Sequence, residues 1–264
     1  MTRTSVRAPW YLLLPGLLAI LFLGLPLVGL LIAAPWTEFG SVLSSPNALS
    51  ALRLSLLTAT LATAVSLAFG VPLAWLLAYG DRRWTRWARP LVLIPLVLPP
   101  VIGGVTLLMA FGRNGLFGRY LYSWFGVQLP FSTAGVVVAE AFVAMPFIII
   151  TVEAALRTLD PRFNEAARTL GGSSWTVLRR VTLPMITPAL VAGAVLCWAR
   201  ALGEFGATIT FAGNFPGVTQ TLPLAVYSAL EVNRAEAIGL SIVLLGVCVV
   251  VLVALRDRYL RTGV

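Results

Sequence analysis

The chain has no histidine and no lysine, only two cysteines, and little charge for its length. Each shortage excludes a class of function. Zinc sites need clustered His, Cys or carboxylate ligands, and Cys197 and Cys248 instead sit inside apolar runs, where they read as small packing residues. Two such cysteines indicate no disulfide framework. The chain also lacks a G-x-x-x-x-G-K-[ST] phosphate loop, so it is not expected to hydrolyse a nucleotide itself. A membrane-embedded enzyme would need a convergent nucleophile, base or metal set, and without histidine the few intramembrane carboxylates do not supply one. Charged residues are 11% of the 264, against about 25% in a soluble domain. There is no low-complexity tail and no internal repeat of useful strength. The chain stops soon after its last apolar run, so no large cytosolic regulatory domain is expected.

What is abundant is apolar surface: 59% of residues are hydrophobic and the mean hydropathy is +0.92. Lipid is the expected solvent. The net charge of +9 comes entirely from arginine. The arginines cluster in short segments between apolar runs and form no continuous face, which points to membrane topology and away from nucleic acid. Six segments are long enough to span: roughly 10–34, 51–79, 90–112, 132–156, 186–212 and 236–255. The first follows Arg3 and Arg7 and outruns the apolar region of about 7–15 residues in a signal peptide, so it is read as a retained transmembrane helix. The third holds Pro95, Pro99, Pro100, Gly103 and Gly104, which predicts a kinked or broken helix. Fourteen arginines lie in the two tails and the second and fourth loops. Three (Arg113, Arg119 and Arg234) lie in the opposite loops, and Arg53 and Arg200 fall within or at the edge of spans. This bias places both termini in the cytoplasm. The expected fold is all-α and integral to the membrane, a single six-span domain over residues 1–264 with a cytoplasmic loop at 157–185.

That fourth loop carries Glu165-Ala166-Ala167-Arg168-Thr169-Leu170-Gly171 and, after nine residues, Val181-Thr182-Leu183-Pro184. Asp160-Pro161 predicts a helix start, with a short helix to about Leu170 stopped by Gly171-Gly172. Ser173-Ser174 then cap a second short helix, about 175–181, which Leu183-Pro184 ends before the fifth span. Gly171 allows a sharp turn, and Ala166 and Ala167 allow close approach. Glu165 can bond backbone amides or an arginine, and Arg168, Arg179 and Arg180 can reach an acidic rim on a partner. The spacing resembles the EAA loop of bacterial ABC-importer permeases, E-A-A-x3-G-x9-I-x-L-P, with Val181 in place of Ile. The resemblance implies a MetI-like type I importer permease. It also implies a homodimer, two copies of a separate ATPase subunit that bind the ATP and Mg, and an extracytoplasmic binding protein. No cofactor is implied on this chain.

Ionisable groups inside spans are costly and face a bundle interior or a wet cavity. Glu140 and Glu153 fall in the fourth span, and Arg53 starts the second. Arg200, Glu204 and Thr208 recur at i, i+4 and i+8, one face of a helix in the fifth. Arg200 and Glu204 read either as a structural ion pair or as an element of a gate or anion path. Thr106, Thr208, Thr210 and Asn214 can donate to an oxyanion and are candidate path residues, although hydroxyl side chains are also common in contacts between membrane helices. Gly203 and Gly206 flank Glu204 and let helices approach or open.

The runs Ala199-Arg200-Ala201-Leu202-Gly203-Glu204-Phe205-Gly206-Ala207-Thr208, Phe211-Ala212-Gly213-Asn214 and Thr219-Gln220-Thr221-Leu222-Pro223-Leu224-Ala225 resemble the molybdate/tungstate permease family, and less closely the sulfate/thiosulfate permeases. That resemblance implies ATP-driven import of molybdate from its binding protein, with sulfate the rival substrate. A membrane enzyme and a passive channel are the readings from other classes. Activity without an ATPase partner would favour the enzyme, and anion flux through the purified chain alone would favour the channel.

Overall fold

A computed structural model describes residues 10–261; Arg3 and Arg7 lie outside them. All the regular elements among the described residues are helical. The first apolar run forms α1 (Trp10–Ile32), followed by the short α2 (Phe39–Ser44). The second forms α3 (Pro46–Tyr79), started by Pro46 and by Ser45, whose hydroxyl accepts from the Ala48 N–H. Then come α4 (Arg82–Val97), α5 (Pro100–Phe111), α6 (Gly118–Phe125), α7 (Thr133–Thr158), α8 (Pro161–Thr169) and α9 (Ser174–Val177). The chain closes with α10 (Leu183–Leu202), α11 (Gly206–Phe211), α12 (Leu222–Val232) and α13 (Arg234–Arg261). Among the described residues five helical stretches are long and apolar enough to cross a membrane, and the bent pair α4–α5 makes a sixth if it crosses as one span.

The core is a layer of α3, α7 and α10. α3 turns a buried stripe of small residues inward, with Ala59, Ala62, Ser66, Gly70 and Ala74 at helical spacing. A Cβ on Gly70 would stand 3.3 Å from Ile149 Cγ1 of α7. On α10, a Cβ on Gly193 would stand 3.3 Å from Thr151 Cβ and 3.4 Å from the Ile148 Cα. Lipid tails are as apolar as leucine, so spans associate through close packing of this kind. α1 is different: its membrane-length stretch has no buried residue, and Phe22 and Ile32 are more than three-quarters exposed. Such a surface suits lipid or another subunit, and would be a liability in water.

Three expectations need correction. The third apolar run is broken, but its first helix starts at Arg82, so the arginine-rich segment is already helical. The break is at Leu98–Pro99, where the chain turns through 120°. Pro99 and Pro100 have no N–H to donate and hold the residues before them extended, with ψ 130 at Leu98 and 131 at Pro99. Second, Leu183-Pro184 does not end a helix. Helix runs from Ser174 through a π-turn at Leu178–Thr182 into α10, and the Leu183 N–H reaches back five residues to the Leu178 carbonyl. That wide turn takes in the missing N–H of Pro184. Third, the fifth run is not one helix to 212: it stops at Gly203 and restarts at Gly206. The short helices α2, α6 and α12 were not foreseen, being too short to leave a spanning signal.

Candidate functional site

The fourth-loop cassette is a helix–turn–helix at the end of α7. Asp160 caps α8 by accepting from the Arg162 N–H at 3.0 Å, and Pro161 occupies its first position. Gly171 takes φ +83, a left-handed conformation that glycine adopts without steric cost. The turn closes with bonds from Gly171 N to Arg168 O (2.9 Å) and from Gly172 N to Ala167 O (3.0 Å). Ser173 caps α9 by accepting from the Thr176 N–H.

Glu165, Ala166 and Arg168 are exposed and Ala167 is half-buried. The Glu165 side chain makes no bond among the described residues; it lines a hollow with Trp75, Tyr79, Asn164 and Arg168. Sequence reasoning missed three apolar tips: Phe163, Trp175 and above all Leu170, which is 89% exposed. Their signal was large apolar residues within an otherwise polar loop. Leu183 packs against the core while Pro184 faces outward. The cassette is tied to the spans by Thr182, fully buried, whose hydroxyl donates to Asn164 Oδ1 at 3.2 Å.

Beside the cassette, Glu153 of α7 holds Arg89 of α4 (2.9 Å) and Arg157 (2.8 Å). Both guanidinium groups also donate to the Leu77 carbonyl, one of the unpaired carbonyls in the last turn of α3. The ends of α3 and α7 are thereby joined to the middle of α4. The sequence showed these arginines only as topology signals.

In the fifth span Arg200 Nη1 lies 2.7 Å from Glu204 Oε2, and Glu204 Oε1 accepts from the Ala207 N–H at 2.8 Å. Glu204 is 1% exposed and Arg200 partly open. The carboxylate therefore caps α11 while pairing with the last turn of α10, which bridges the break at Gly203–Phe205. The expected single face of Arg200, Glu204 and Thr208 is overturned, because Glu204 sits in the break and Thr208 on the second helix. α5 lies against α11 so closely that a Cβ on Gly104 would come within 2.6 Å of Thr210 Cβ and 2.8 Å of the Ala207 carbonyl.

The candidate path hydroxyls are mostly spent locally. Thr106 donates to Gly103 O (2.7 Å) and Thr210 to Gly206 O (2.8 Å), while Thr208 is fully buried with no partner among the described residues. Asn214 donates to Ser228 Oγ at 2.8 Å, and its buried Oδ1 has no partner among the described residues. Thr219 accepts from the Phe215 N–H and so builds the loop before α12, which docks on α3 through the Leu222 N–H to Ser55 Oγ bond at 2.7 Å. Glu140 of α7 is buried and accepts from Thr58 Oγ1 of α3 at 2.9 Å.

The fold, the exposed cassette and the broken spans define a class. Residues 70–262 match the model of the binding-protein-dependent transport system inner membrane component, and the chain belongs to that family. It is a multi-pass membrane subunit of an ABC importer, in a family whose members are permeases and not enzymes.

Within the family it is similar to the "Molybdenum transport system permease protein ModB" of Mycobacterium tuberculosis, with 45% identity over 95% of this chain and 94% of that one. The protein of the same name from Escherichia coli K12 is 42% identical over 71% of this chain and 82% of that one. The "Sulfate transport system permease protein CysT" of Escherichia coli K12 is 34% identical over 94% and 90%. In fold the chain is similar to a bacterial ABC transporter involved in the import of the acidic polysaccharide alginate, with TM-score 0.74, 21% identity and coverage of 97% and 96%.

Proposed function

We propose that this chain is the translocating subunit of an ATP-driven importer of molybdate and tungstate. The observation that carries the reading is the full-length similarity to a molybdenum permease at 45%, against 34% for a sulfate permease of comparable coverage. The arginine bias supports cytoplasmic termini, which puts the cassette on the side of the ATPase.

Two copies of the chain form the path, and each offers its cassette to one ATPase subunit. Glu165, Ala166, Ala167, Arg168 and Gly171 form the face and turn that seat in the ATPase groove, with Leu170 and Trp175 as apolar anchors. Leu183 and Pro184 begin the span that follows the movement. ATP and Mg are held by the ATPase. Its closure pulls the two cassettes together, and Thr182 and the Glu153 cluster transmit the displacement to α3, α7 and α10. The spans then face outward to receive the anion from a molybdate-binding protein, and hydrolysis resets them. The Arg200–Glu204 bridge and the α5–α11 contact, with Thr106, Thr208, Thr210 and Asn214 around them, form the gate region.

The test is ATP-dependent uptake into proteoliposomes holding the chain, its ATPase and its binding protein. Molybdate uptake blocked by tungstate but not by excess sulfate is the expected result. Uptake of sulfate with indifference to molybdate would overturn the substrate and leave the permease.

A further inference from the structure

Arg53 stands apart from the other arginine within an apolar run. Arg200 is paired with Glu204, and at the span ends Arg89 and Arg157 share Glu153. The Arg53 guanidinium is exposed and makes no hydrogen bond or ion pair among the described residues. It lines a hollow of about 460 Å³ with Leu49, Ser50, Leu54, Thr133 and Gly217. Three segments meet there: the first turns of α3, the start of α7, and the loop between α11 and α12. The Thr133 hydroxyl ties two of them by donating to the Val218 carbonyl at 2.9 Å.

Among the described residues no carboxylate lines the hollow. The Ser50 hydroxyl is spent on the Asn47 carbonyl (3.0 Å) and that of Thr133 on Val218. The donor left is the guanidinium, with N–H groups in a fork that matches a tetrahedral oxyanion and no acceptor of its own. Depth fits this use. The 34 residues of α3 make about 51 Å of helix against a hydrocarbon core of about 30 Å. Arg53 is about 10 Å from the first residue of α3, near the outer interface, where an arginine stays charged without the cost of mid-membrane burial.

We propose that Arg53 and its hollow form an extracytoplasmic receiving site for a tetrahedral oxyanion entering the path. The proposal rests on the import function and orientation proposed above. The same chemistry would recognise the phosphate of an outer-leaflet lipid, so the experiment separates the two sources. R53Q and R53K are assembled with the ATPase and binding protein in liposomes of phosphatidylcholine alone and of phosphatidylcholine mixed with phosphatidylglycerol. Labelled molybdate uptake and binding-protein-stimulated ATP hydrolysis are measured together.

For R53Q the expected result is uptake reduced at least about tenfold, the scale of one lost charge-assisted contact. ATP hydrolysis should be retained, R53K, which keeps the charge without the fork, should recover part of the uptake, and both lipids should behave alike. Wild-type uptake by R53Q overturns the proposal. So does a defect that follows lipid composition, which assigns Arg53 to a lipid phosphate, or one that removes ATP hydrolysis equally, which assigns it to structure. Absence of molybdate uptake by the wild type is a failure of the substrate reading alone, and the same comparison is then made with sulfate.

Discussion

Replacing Gly171 tests whether the turn between α8 and α9 must keep its shape for coupling. A Cβ added there would meet nothing within 4 Å, so sterics with neighbours contribute no penalty. The whole cost lies in φ +83, a left-handed conformation that costs an L-residue roughly 1–2 kcal/mol. A penalty of that size lowers the population of the correct turn about 5–30-fold. Gly171→Ala should therefore insert and assemble normally but lose about that factor in molybdate transported per ATP hydrolysed. Gly171→Asn should lie close to wild type, because asparagine visits this region readily. The assay is uptake and hydrolysis measured on the same proteoliposomes, with ATPase co-purification as the check on assembly. If alanine and asparagine behave alike, the backbone argument is wrong. If Gly171→Ala is fully coupled, the turn does not carry the displacement.

Gly104→Ala should destabilise by about 1–3 kcal/mol, since its Cβ would press on Thr210 Cβ and the Ala207 carbonyl; the purified subunit's melting temperature reads this, and an unchanged value would refute the α5–α11 contact. Glu204→Gln keeps an acceptor for the Ala207 N–H but loses the pairing with Arg200, and should cost about 1–3 kcal/mol. A double-mutant cycle with Arg200→Met checks it, and strict additivity would deny the pair. Thr182→Val removes the bond to Asn164 at nearly constant volume, so it should lower transport per ATP more than melting temperature; the reverse ranking would make Thr182 purely structural.

The parts of this protein that depend on local sequence were legible in it. Long apolar runs, the placement of arginine, Asp160-Pro161 before α8 and the left-handed glycine after it are each decided within a few residues, because helix length and capping are local properties. Pro99-Pro100 marked the break in the third run for the same reason, although the 120° turn needed the packing of α5 on α11. The family was legible too, through motifs of fixed spacing. The sequence placed Glu204 and Thr208 on one helical face but could not show that Glu204 caps a new helix; Gly206 restarts the chain where α5 leaves no room for a Cβ, its nearest neighbour being Pro100.

Only the tertiary structure joined Arg89 to Glu153 and Arg157 to the Leu77 carbonyl, separated by 64 and 80 residues, or Glu140 to Thr58. It also decided that most candidate path hydroxyls bond within their own segments and that Arg53 has no hydrogen-bond or ion-pair partner among the described residues. In lipid each polar group must find a partner or a cavity, and which of these it finds depends on how the spans cross, a property no single segment contains.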